Sequence, residues 1–124
     1  MRILCLCTLA IAAYIMLPSL APAQEAPAHF LIECELTASV DIAHLTQPQM
    51  ATFQQHGAYL SKLRDQGVVI VGGHTDNIQH MRAIIIVKAR DAAAARTLAT
   101  EDPAIKGGLL KFSVEPFTLA IAPK

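Results

Sequence analysis

Met50 to Gly73, MATFQQHGAYLSKLRDQGVVIVGG, is the stretch on which the reading of the fold turns. At the helical period, Phe53, His56, Tyr59, Leu60 and Leu63 share one arc, and Gln54, Gln55, Ser61, Lys62 and Asp65 take the other. The spacing predicts an amphipathic helix with His56 on its apolar side, turned to the interior or a cleft. Gly67 follows the last polar turn, where a helix closes on a left-handed residue and glycine adopts that conformation without strain. Val68-Val69-Ile70-Val71 comes next, a short β-branched run that predicts a strand buried on both faces.

Working outward, Phe30 to Leu36 alternates at period two, with Phe30, Ile32, Cys34 and Leu36 on one face and Leu31, Glu33 and Glu35 on the other. It predicts the first strand. Thr37 to Pro48 is polar and turn-rich, carries Asp41 and His44, and predicts a loop whose Pro48 suits the first turn of the following helix. His74 to His80 predicts a tight connection to a third strand, Met81 to Lys88, so that the second and third strands form a hairpin. Asp91 is a good N-cap for an alanine-rich helix from Ala92 to about Thr100, which Pro103 stops. After Gly107-Gly108, a last strand runs from Leu109 to Ala120 with Leu110, Phe112 and Val114 on one face.

The order β-α-β-β-α-β predicts an α+β, ferredoxin-like fold, a four-stranded antiparallel sheet with two helices on one face. The opposite face, with Leu31, Ile84 or Ile85 and one set from Val68 to Val71, is then open in a monomer. An apolar face of that size predicts a homodimer in which two sheets pack together.

The start of the chain reads differently. Met1-Arg2 is a short positive start, Ile3 to Leu20 is apolar, and Ala21-Pro22-Ala23 is a small-x-small processing pattern. A signal peptide over 1–23, cleaved after Ala23, is expected. A loose lead-in over 24–28 and one domain over 29–120 follow it, in a periplasmic or secreted protein. The alternative is an uncleaved anchor. Cleavage removes Arg2, Cys5 and Cys7 and leaves nine basic residues against ten acidic. A near-neutral surface excludes nucleic acid as the expected partner, and no membrane contact is expected once the leader is gone. Cys34 alone remains, so no internal disulfide is expected; its place in the alternating strand reads as a small buried hydrophobe.

In a right-handed crossover the first helix opens, and the second closes, at one end of the domain. His56, Asp102, His74, Asp76, His80, Asp41 and His44 all map there. A carboxylate beside an imidazole fixes its tautomer and steadies its protonated form, which is what a general base near neutral pH requires. His56 and Asp102 are the candidate catalytic pair, with a packed core histidine and a turn-forming aspartate as the alternative. His74, Arg82 and Tyr59 are the candidate ligand-binding residues. His74, Asp76 and His80 are donors of the kind zinc or copper takes. A solvated turn shares that pattern, however, and neither a metal nor any other cofactor is expected.

Taken together, His56, Tyr59-Leu60, Leu63, Gly67, Gly72-Gly73, the alanine-rich helix ending in Asp102-Pro103, Gly108 and Val114-Glu115-Pro116-Phe117 resemble the pattern of YCII-related (YciI-like) proteins. His74 stands where that pattern commonly has proline, and an exported leader departs from a largely cytoplasmic family. The resemblance implies a dimeric α+β barrel whose active-site histidine and aspartate fall on His56 and Asp102. One branch resembles a dehydrochlorinase acting on a chlorinated hydroxyquinol. The function expected is a small lyase or isomerase moving a proton on a compact organic ligand. The alternative is a non-catalytic dimeric module that binds a small molecule or a metal.

Overall fold

A computed structural model describes residues 28–121. The expected signal peptide over 1–23 and all of the lead-in but Ala28 lie outside the described residues. The elements run β1 (Ala28–Leu36), α1 (Gln47–Asp65), β2 (Val69–His74), β3 (Arg82–Ala89), α2 (Ala92–Thr100), α3 (Pro103–Lys106) and β4 (Leu110–Phe117). All strand pairs are antiparallel, and the sheet order is β2-β3-β1-β4. This is the four-stranded α+β, ferredoxin-like sheet that the periodicity predicts.

Register decides which face each side chain takes. Phe30, Ile32 and Cys34 pair with Val87, Ile85 and Ala83 on β3, and Ile32 and Cys34 with Val114 and Phe112 on β4. These rows form the helix-covered face, where Phe30, Ile32, Cys34, Ile85 and Val87 are buried. Ala95 and Ala99 of α2 are almost wholly buried against it. Small side chains there let the helix backbone approach the sheet closely, which is why an alanine-rich segment serves as a core element.

Four expectations need correction. β2 is not buried on both faces. It is an edge strand with an irregularity between Val69 and Val71; Val69 and Ile70 are half-buried and Val71 is exposed, because only β3 flanks it. The helix begins at Gln47, inside the expected loop. Thr46 caps it and exchanges hydrogen bonds with Gln49 in a capping box, which satisfies two amides that have no intrahelical partner. A short 3-10 turn, Ile42–His44, also interrupts that loop. Pro103 does not merely follow the end of α2; it opens α3, with Asp102 as the N-cap. Finally, the open face is smaller than expected. Leu31 and Ile84 lie on it, but Ile85 belongs to the core, and Ile86, between Leu31 and Val71, is only 5% exposed.

Gly67 has φ +72°, the left-handed residue that ends α1 and turns the chain straight into β2. That tight return fixes α1 alongside the edge strand, and α1 in turn packs on α3.

Candidate functional site

His56 sits on the third turn of α1, and Asp102 on the link between α2 and α3. They are 46 residues apart in sequence, and His56 Nδ1 lies 2.7 Å from Asp102 Oδ2. Asp102 is 2% exposed. Its other oxygen, Oδ1, accepts from the Ala104 amide at 2.8 Å, so one carboxylate both caps α3 and holds the imidazole. Phe53 sets its edge against the His56 ring, centroids 6.4 Å apart and planes at 86°.

With Asp102 ionised and acting only as an acceptor, Nδ1 must be the protonated nitrogen, and the neutral ring carries its lone pair on Nε2. Nε2 has no partner among the described residues. Since no buried side-chain nitrogen or oxygen there lacks a partner, Nε2 of this 17%-exposed side chain is not sealed from solvent. The arrangement is that of a held, outward-opening base.

Tyr59 stands one turn beyond His56. Its hydroxyl donates to the Leu98 carbonyl at 2.9 Å. That carbonyl is available because the Asp102 amide, its regular helical donor, turns instead to Ala99. Burial is the main cause raising the Tyr59 pKa, with the charges of Asp102 and Glu101 adding to it. Cys34 is pushed up to about 11, first by burial and then by the charges of Asp102 and Glu33. The Asp102 charge is thus felt inside the core.

The remaining predicted residues do not join this pair. Arg82 lies on the opposite sheet face, Nη1 3.2 Å from Glu33 Oε1. His74 ends β2 on the helix-covered side, exposed, with Nδ1 3.3 Å from the Thr75 carbonyl. His80 lines a separate cavity with Glu35, Leu36, Met81 and Arg82. No hydrogen bond or ion pair among the described residues links His74, Asp76 or His80 to His56 or Asp102. Nor is any group of three or more His, Cys, Asp or Glu there placed to hold a metal ion. Asp41 and His44 form their own pair at 2.8 Å beside a cleft of about 660 Å³ that Ile78 closes from the hairpin side. Periodicity did not reveal that the Asp102 carboxylate caps a helix, although Asp-Pro at N-cap and N1 was a readable signal.

The YCII-related domain model matches residues 23–118. No curated protein matches the chain. Among solved structures, the 5-chloro-2-hydroxyhydroquinone dehydrochlorinase TftG from Burkholderia phenoliruptrix, in complex with 2,5-dihydroxybenzoquinone, superposes with a TM-score of 0.57 at 23% identity. The match covers 73% of this chain and 93% of that one, and at this identity it is a likeness of fold.

Proposed function

The chain belongs to the YCII-related domain family, and on that premise we propose that it is a small exported lyase or isomerase, needing no cofactor. In this reading Nε2 of His56 moves a proton on a small organic ligand, and Asp102 orients the ring. The observation that carries it is the 2.7 Å contact that ties Nδ1 to a buried carboxylate and leaves Nε2 without a partner among the described residues. When Nε2 takes a proton, the Asp102 charge steadies the imidazolium, which lowers the barrier to abstraction from a weakly acidic C–H or O–H. The named substrate of TftG suggests the first compound to try. Transfer of one hydroxyl proton to the chlorine-bearing ring carbon makes that carbon tetrahedral and its neighbour a ketone, and loss of a second hydroxyl proton then pushes electrons through the ring and expels chloride with its bonding pair, leaving a quinone.

The protein would act as a homodimer in the periplasm or outside the cell. Its open sheet face, with Val71 54% and Ile84 42% exposed beside Leu31, supports that pairing. Light scattering on the exported chain reads a dimer if this holds, and a stable monomer at micromolar concentration removes it.

Chloride release from 5-chloro-2-hydroxyhydroquinone, and solvent deuterium uptake by enolisable ketones, test the chemistry. His56→Ala abolishes turnover in this reading. So does His56→Asn, whose amide nitrogen stands in the place of Nδ1 and retains a donor for Asp102 but which has no titrating lone pair. A folded variant of either kind with parental activity removes His56 from the mechanism.

A further inference from the structure

Two successive glycines end α3, and they are there for different reasons. Gly108 has φ +69°, a left-handed conformation that a side chain would strain. Gly107 has φ −76° and ψ 0°, right-handed values open to residues with a side chain. What bars a side chain at Gly107 is a neighbour. A Cβ there would lie 3.3 Å from Cγ2 of Thr52 on α1, inside the roughly 3.5–4.0 Å at which carbon atoms attract best. It would also lie 3.1 Å from the Pro103 carbonyl, but that group accepts from the Gly107 amide and belongs to the same turn.

Thr52 is not free to turn away. Its hydroxyl donates to the Pro48 carbonyl at 3.0 Å, and rotation about χ1 would give up that bond. The methyl is thereby held against Gly107. Thr52 stands four residues before His56, one turn back on the same side of α1. Gly107 stands five residues after Asp102, at the other end of α3. So α3 meets α1 at two points, Asp102 on His56 and Gly107 on Thr52, and runs antiparallel to it. The spans agree, about 6 Å along α1 and about 7.5 Å along α3.

A single turn held at both ends has little freedom to tilt. We propose that Gly107 is a positioning residue of the proton-transfer site: without a side chain it lets α3 close on Thr52, and that closure sets the distance between Asp102 and His56. The proposal rests on His56 being the proton-moving group. A methyl on Gly107 pushes the end of α3 off α1 by a few tenths of an ångström. Asp102 moves with it, because its Oδ1 is committed to the Ala104 amide at the start of the same turn. The 2.7 Å contact then lengthens, and the carboxylate no longer selects the ring tautomer that leaves Nε2 free to take a proton.

Nitrogen-15 NMR of the histidine rings in the whole exported chain reads this directly, at a pH where the rings are neutral and with His56→Ala to assign the signal. The parent shows His56 protonated on Nδ1. In Gly107→Ala the ring drifts to the Nε2–H form that imidazole favours in water. Turnover of 5-chloro-2-hydroxyhydroquinone or of an enolisable ketone, whichever the parent converts, then falls at least tenfold in kcat with KM unchanged. A mere helix cap predicts the opposite, since alanine at a right-handed position is at least as stable as glycine and leaves the ring alone. Thr52→Ser keeps the hydroxyl and deletes only Cγ2, so adding it to Gly107→Ala restores the Nδ1–H form and most of kcat. A parental ring spectrum in Gly107→Ala, an altered ring with undiminished kcat, or no recovery in the double variant overturns the proposal. If Gly107→Ala does not fold, the double variant decides: a folded chain with the Nδ1–H form supports it, and failure to fold overturns it. If His56→Ala keeps full turnover, the catalytic reading fails and the ring spectra alone say whether Gly107 sets the pair. If His56→Ala is inactive and the ring of Gly107→Ala is parental, only the role of Gly107 fails.

Discussion

Among the described residues, two His–Asp pairs have the same atoms in contact, Nδ1 to Oδ2, at 2.7 Å for His56–Asp102 and 2.8 Å for His44–Asp41. Distance does not distinguish them; support does. Asp41 and His44 lie three residues apart on one 3-10 turn, their side chains 64% and 83% exposed. Asp102 is buried, is held by a helix N-cap, and meets a ring fixed by Phe53 from an element far away in sequence. An exposed local pair can rotate apart and be replaced by water at little cost. A buried long-range pair is fixed by the whole fold, and only such a pair offers a partner atom a constant geometry.

Removing the carboxylates should separate the two pairs most. Asp102→Ala deletes a buried charge-assisted hydrogen bond and the α3 cap together, a loss of roughly 3 kcal/mol. For a domain of this size that lowers the thermal midpoint by roughly 10 °C or more. A calorimetric shift of only a degree or two would mean that the buried pair is no better supported than the exposed one.

The next difference is how far each charge reaches. The Asp102 charge helps hold Cys34 near 11, although burial is the larger cause. The folded thiol therefore keeps its proton where the unfolded one, with an ordinary value of 9.0, has lost it. Below pH 9 the two states bind the same proton. Above it the unfolded state binds fewer, so stability falls as pH rises through about 11. Chemical denaturation across this range should show the decline, and Cys34→Ala should flatten it. The raised Tyr59 acts in the same direction, so a residual slope in Cys34→Ala belongs to that phenol.

A smaller effect tests what holds α1 against the end of α2. Tyr59→Phe removes the hydroxyl that donates to Leu98 O and costs about 1 kcal/mol. If a midpoint measured by circular dichroism is unchanged, water substitutes for the phenol and α1 is held by packing alone.

These contrasts also mark what the sequence could carry. Alternation in Phe30–Leu36 and the apolar arc of Phe53, His56, Leu60 and Leu63 are local patterns, and they placed strands and helix faces correctly. The start of α1 was equally local, in Thr46 and Gln49, but a capping box is read from two residues and Pro48 drew the boundary inward. Four-residue α3 is too short for any period, although Asp102-Pro103 announces it. That β2 lies at an edge depends on strand order, which no window over Val68–Val71 contains. Joining His56 to Asp102 took topology and the family pattern together.

The exposed pair should give the smallest response, and its direction can be worked out. His44 holds the Asp41 carboxyl below its ordinary value, with the Ala43 amide as the second cause. A lowered folded pKa adds stability that is present above the unfolded carboxylate value and lost as pH falls through the folded one. Both groups face water, so salt screens the attraction and the amide bond to Ala43 is exchanged for one to solvent. Asp41→Ala should therefore leave the midpoint at neutral pH within error and remove only a faint acid-side slope, itself erased by molar salt. A neutral-pH loss comparable to that of Asp102→Ala would show that the cleft beside Ile78 depends on the Asp41–His44 turn for its shape. The two pairs would then differ in exposure but not in structural consequence.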